Sequence, residues 1–220
     1  MTEPTPFRPL SATEARVLAV LVEKQHTVPD TYPMSLNALL SGCNQKTSRD
    51  PVMELSEADV RDALESLRAR SLVIESSGGR VMRYEQNARR VLGVPSESIA
   101  LLATLMLRGP QTAAELRANC ERIHRFSDVS ATEAYLDELA ARAGSPYVLR
   151  LARQPGSREH RWAHLLCGEG AAQAATQAAA QADDPGTSRP VPAQADALLA
   201  RVERLEAEVA ALRARLDAAH

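Results

Sequence analysis

Residues 56–84 read SEADVRDALESLRARSLVIESSGGRVMRY, and this stretch decides the fold. Ser56 precedes Asp59 by three, the spacing at which a hydroxyl and a carboxylate satisfy each other's backbone donors in a capping box. Val60, Ala63, Leu64 and Leu67 then recur on one helical face. Leu72-Val73-Ile74 follows as a strand, Ser77-Gly78-Gly79 as a turn, and Val81-Met82-Arg83-Tyr84 as the returning strand. Upstream, the box Ser11/Glu14 opens a helix to about Lys24 that carries Val17, Leu18, Leu21 and Val22. After the breakers Pro29 and Pro33, Ser35 caps a short helix with Leu36, Leu39, Leu40 and Cys43. Three helices followed by a β-hairpin is the winged-helix order.

The same order of elements returns roughly 75–80 residues later. Ile99–Leu107, preceded by Ser96, is a helix ended by Gly109-Pro110. Thr112/Glu115 boxes a second helix with Leu116 and Ile123 inward, and Ser130/Glu133 a third that carries Ala134, Tyr135, Leu139 and Ala140. Tyr147–Leu151, the turn Gln154-Pro155-Gly156 and Arg161–Leu166 complete a second hairpin. The two halves share the order of elements rather than an evident residue match. Beyond Gly168 the chain turns Ala/Gln-rich and then Pro-bearing, the composition of a linker. Leu198, Val202, Leu205, Val209, Leu212 and Leu216 then alternate in steps of four and three. With Val at a and Leu at d this seam favours a parallel two-stranded coil, in which Arg201 faces Glu206 and Glu208 faces Arg213. The alternative is one amphipathic helix folded back on the body. The expected architecture is mainly α with small β-hairpins (α+β), two tandem winged-helix domains plus a C-terminal coiled-coil helix. Its parts are an N-terminal tail 1–10, domains at 11–92 and 93–168, a linker 169–195 and the coiled-coil helix 196–220.

Bulk composition narrows the classes of function. The 220 residues are 45% hydrophobic but 3% aromatic, so the core must be built from aliphatic side chains. No apolar run approaches the roughly 20 residues that span a bilayer, and Met1–Pro9 lacks the apolar stretch of a secretory signal. Cys43, Cys120 and Cys167 are far apart and odd in number, which points to a reducing cytoplasm. The net charge is −2, so the strongly basic footprint of many nucleic-acid binders is missing and local patches must carry any such role.

The densest unusual stretch begins at Glu23-Lys24 and continues as Pro29-Asp30-Thr31-Tyr32-Pro33-Met34-Ser35-Leu36-Asn37. It runs on through Cys43-Asn44-Gln45-Lys46 to Arg49-Asp50-Pro51-Val52. This order closely resembles the signature of the YceH-like family of bacterial proteins of unknown function, and the resemblance extends from Leu10 to Leu166. The resemblance implies a tandem winged-helix fold and leaves activity open. Gln86 departs from it, since the family tends to have His there, which argues against a histidine function at the end of the first hairpin. Read from the residues alone, Asn37 and Asn44 lie seven apart on the second helix and share a face. Gln45, Lys46 and Arg49 crowd the passage into the third helix. These groups are either caps and loop stiffeners or a polar recognition surface.

A winged-helix protein usually lays its third helix in the major groove. Here Ser56–Arg70 carries Glu57, Asp59, Asp62 and Glu65 against Arg61, Arg68 and Arg70, and Ala131–Ala143 carries Glu133, Asp137 and Glu138 against Arg142 alone. Phosphates repel such carboxylates at contact range. The hairpins are more basic: Arg80 and Arg83, with Arg89 and Arg90 just after, in the first, and Arg150, Arg153, Arg158, His160 and Arg161 in the second. Alternating Arg is also what a solvated hairpin face looks like, but the second hairpin, with five basic side chains against Glu159, is the best phosphate-binding candidate in the chain. Cys120 and His124 lie one turn apart, but two such residues make a poor zinc site. No phosphate loop, zinc-protease helix or nucleophile elbow occurs. The sequence therefore points to a non-enzymatic, cytoplasmic, homodimeric binding protein without cofactor, metal or membrane partner. Double-stranded DNA is the leading ligand, as for a transcription regulator. The alternative is a protein–protein adaptor resembling the tandem winged-helix subunit of bacterial condensin.

Overall fold

Burial of one helix on every side organises the molecule. A computed structural model describes residues 7–77, 81–142, 144–153 and 159–174, all within one compact unit. Helix α1 (Ala12–Thr27) starts at the capping box of Ser11 and Glu14, whose two bonds measure 3.1 and 2.6 Å. From Glu14 to Val22 every residue of α1 is buried, so no face is left for solvent and packing must come from all directions. Helix α2 (Leu36–Cys43), capped by Ser35, and α3 (Glu57–Ala69), opened by the Ser56/Asp59 box, cover part of it. The rest is covered by α5 (Ser96–Arg108), buried without a break from Ser98 to Leu107. The α1–α5 contact is the most extensive between any two elements. One aliphatic core consequently runs from Leu10 to Leu166 through both halves of the chain.

Two small antiparallel sheets complete an α+β architecture. In the first, β1 (Met34–Ser35) pairs with β3 (Met82–Gln86), which pairs with β2 (Val73–Ser77). In the second, β4 (Gln111–Thr112) pairs with β6 (Arg161–His164), which pairs with β5 (Val148–Arg150). A short helix α4 (Ala88–Leu92) ends at Gly93, whose φ of 63° is left-handed and suits glycine. Between β4 and β5 lie α6 (Ala113–Cys120) and α7 (Val129–Ala140).

The expected hairpins and helices form, with three differences. The two-residue strands β1 and β4 carry too little apolar alternation to be read, and only pairing with β3 and β6 makes them strands. Helix α4 is likewise one turn long. Ser130 does not open the third helix of the second half: Asp128 does, accepting from the Ala131 N–H at 2.7 Å, and Ser130 lies inside the first turn of α7. Both residues can cap, but the earlier carboxylate lengthens the helix and faces its positive end.

A few residues of the halves also correspond. Pro33, Ser35, Leu39 and Cys43 correspond to Pro110, Thr112, Leu116 and Cys120 at one constant interval. Ser35 and Thr112 cap α2 and α6, and both cysteines are fully buried. Arg83 lies opposite Ser35 and donates to the Pro33 carbonyl at 2.8 Å. Arg161 lies opposite Thr112 and donates to the Pro110 carbonyl at 3.0 Å. The heptad seam Leu198–Leu216, both hairpin turns, Arg80 and Arg158 lie outside the described residues.

A shared core makes one unfolding event the expectation. Trp162 is the sole tryptophan and sits in the second sheet, whereas Leu18 is 1% exposed on α1. Leu18→Ala should cost about 2–5 kcal/mol and lower the urea midpoint of Trp162 fluorescence and far-UV circular dichroism together. A Trp162 transition that stays in place would show that the halves unfold separately.

Candidate functional site

The signature residues converge on the loop between α2 and α3. Arg49 has no exposed side-chain area. Its Nη2 donates to Glu23 Oε2 at 2.7 Å, to Gln45 Oε1 at 2.9 Å and to the Gly42 carbonyl at 3.1 Å. Its Nη1 donates to Glu23 Oε1 and to the Ser48 carbonyl. Lys24 Nζ lies 3.2 Å from Glu23 and also donates to Gln45 Oε1. Burial pushes the Glu23 carboxyl up, but the Arg49 hydrogen bonds and charge, helped by Lys24, outweigh it and hold the group below its ordinary value. Asn44 caps the end of α2 and both donates to and accepts from the Leu55 backbone at 2.8 Å. It therefore shares no helical face with Asn37, because α2 stops at Cys43.

Two further arginines belong to this arrangement. Arg16, in the apolar centre of α1, donates from Nη1 to the Cys43 carbonyl and from Nη2 to the Pro51 carbonyl. Burial, and then the like charge of Arg49, pull its pKa down. Arg108 donates to Ser48 Oγ at 2.7 Å, and the Asp50 N–H donates to the Leu107 carbonyl at 2.8 Å. The loop is thus fastened to α1, α2 and α5 at once. An arginine flanked on both sides by apolar residues, as in Ala15-Arg16-Val17-Leu18, is the one sequence signal for this role. Arg108 reads only as a basic residue in a last helical turn.

Of the polar candidates around this loop, Asn44, Gln45 and Arg49 are spent on the scaffold, while Asn37 and Lys46 are exposed. The hairpins divide in the same way. Arg83 and Arg161 hold the proline carbonyls described above, and Arg161 also contacts Glu115 at 3.3 Å. Arg150 and Arg153 are exposed, the former with its guanidinium 5.8 Å from the Trp162 ring centroid. On α3, Arg61 pairs with Glu57 and Arg68 with Glu75. Asp62 and Glu65 on α3, and Glu133, Asp137 and Glu138 on α7, are exposed and form no ion pair among the described residues. Cys43 and Cys120 face the core, and burial pushes the Cys43 thiol up to about 12. His124 stacks edge-on against Phe126. No described helix is long and apolar enough to cross a membrane.

The chain matches a family described as protein of unknown function, DUF480, over residues 10–157. It is similar to a UPF0502 protein of Burkholderia orbicola, 59% identical over 213 residues, spanning 96% of this chain and 89% of the relative. A UPF0502 protein of Burkholderia ambifaria is 57% identical, spanning 97% and 89%. One of Cupriavidus necator is 56% identical, spanning 96% and 86%. The matched stretch contains the whole loop network.

Removing the counter-charge of an enclosed arginine is costly. Glu23→Gln should lose about 3–5 kcal/mol in urea unfolding, whereas Glu57→Gln, in an exposed pair, should lose less than about 1 kcal/mol. Equal losses would show that the network does not secure the loop. Because the folded Glu23 carboxyl lies below the ordinary 4.5, its contribution is complete above that pH and lost as pH falls through the folded value. The gap between wild type and Glu23→Gln should narrow only below about pH 4.5.

Proposed function

We propose that this chain, which belongs to the DUF480 family of proteins of unknown function, is a non-enzymatic winged-helix adaptor for a protein partner. The repeated order of helix, strand, helix, helix and hairpin supports reading 11–92 and 93–168 as two winged-helix halves. One observation carries the choice of partner. The helices that would enter a DNA groove, α3 and α7, turn Asp62, Glu65, Glu133, Asp137 and Glu138 to solvent without basic partners among the described residues. A surface of that charge is repelled by phosphates and attracts basic side chains of another protein. The tandem winged-helix subunit of bacterial condensin offers an architectural precedent, an analogy of fold rather than of motif. The heptad seam from Leu198 to Leu216 would pair two chains, and three unpaired thiols fit a cytoplasmic setting.

DNA binding is the second reading, favoured by Lys46, Arg150 and Arg153, which remain exposed. A salt titration against random-sequence duplex separates the two. The adaptor reading expects no measurable affinity even at low salt. An affinity that falls as salt rises, with a shallower slope in Lys46→Ala/Arg150→Ala/Arg153→Ala, would establish DNA binding instead. In cells, a partner cross-linked to wild type should be lost from Asp62→Lys/Glu65→Lys/Glu133→Lys/Asp137→Lys.

A further inference from the structure

Where the chain passes from its first half to its second, a shallow cleft of about 700 Å³, wide open to solvent, lies between the end of β3 and the start of α5. Its walls are fixed. The Gln86 N–H donates to the Tyr32 hydroxyl at 2.7 Å, and its side chain donates to Gln25 and accepts from the Ala88 N–H. Asn87 donates to the Ser71 carbonyl at 2.9 Å. On the far side Arg142 Nη1 donates to the Gly93 carbonyl at 3.2 Å, and the Tyr147 hydroxyl donates to Leu92.

Against this rigid frame, Arg89 and Arg90 line the cleft with exposed side chains that form no hydrogen bond or ion pair among the described residues. No carboxylate lines it. Glu97 feels this charge: it is held below its ordinary value by its own backbone N–H, with Arg89 a lesser influence. A third guanidinium, that of Arg142, lies beside Gly93, within 3.6 Å of where a side chain would begin. Val94 and Pro95 add an apolar surface. Most other arginines that approach the protein's own groups are spent on carbonyls or carboxylates, whereas Arg89 and Arg90 keep their donors free at a cleft that no carboxylate lines. Guanidinium forks match the oxygens of a phosphoryl group, which accepts from several donors at once.

We infer that this cleft binds a small phosphorylated molecule, with Arg89 and Arg90 gripping its phosphoryl oxygens and Val94 and Pro95 supporting its organic part. The inference is independent of the adaptor reading, because no residue is shared between the two surfaces. Inorganic pyrophosphate is the probe, titrated into the full chain by calorimetry and by ¹H–¹⁵N spectra at constant ionic strength. The expected result is saturable binding of one equivalent, with the largest amide shifts at Asn87 and Gly93. Arg89→Ala/Arg90→Ala should weaken it at least tenfold and Arg89→Lys/Arg90→Lys by less. Arg122→Ala/Arg125→Ala, two exposed arginines elsewhere, should leave it unchanged. Absence of saturation, shifts centred away from the cleft in wild type, or equal weakening in the Arg122/Arg125 variant would each overturn the proposal. Citrate binding as tightly as pyrophosphate would overturn the phosphoryl assignment.

Discussion

The packing of α1 against α5 is the constraint on which the rest depends. A helix buried on all sides cannot be stable with only its own half of the chain around it, because each uncovered apolar face would remain in water. α2 and α3 cover one side of α1, and α5 closes the other. The N-terminal segment adds to this closure: the Leu10 N–H donates to the Leu166 carbonyl at 2.7 Å, and Phe7 packs edge-on against Tyr147 while Arg70 lies over its ring. Two repeats of one topology are thereby joined through a common interior.

A common interior also explains why so polar a signature runs through the middle of the protein. The chain must leave α2, pass α1 and α5, and return as α3, and its backbone groups along that path need partners. Arg16 and Arg49 supply them from their side-chain forks and the Leu107 carbonyl from α5, while Arg108 holds the Ser48 hydroxyl and Glu23 compensates the enclosed charge of Arg49. Replacing such a network by apolar residues of equal volume is often neutral or stabilising. What it fixes is the path of the loop and the orientation of α3 relative to α5.

Counting arginines along the sequence therefore misjudges the electrostatics of the surface. Arg49, Arg83 and Arg161 have their donors engaged by carbonyls or carboxylates of the protein itself, and so offer no free fork to a phosphate. Carboxylates on α3 and α7 stay in water. The carboxylates of α3 and α7 that lack ion-pair partners among the described residues are what move the proposed function from DNA toward protein.

The sequence by itself determined the helices and hairpins, because capping boxes at Ser11, Ser56 and Thr112 and the local periodicities are written in neighbouring residues. It also determined that residues 23–52 matter as a unit. Tertiary structure alone decided what that unit does. Whether Arg49 meets solvent or Glu23, and whether Arg83 meets a phosphate or the Pro33 carbonyl, depends on contacts between residues far apart in the chain. The same holds for the strands β1 and β4, which are two residues long and exist only because β3 and β6 pass beside them. Local periodicity carries no record of such pairings, and so the fold was legible where the partners of the binding residues were not.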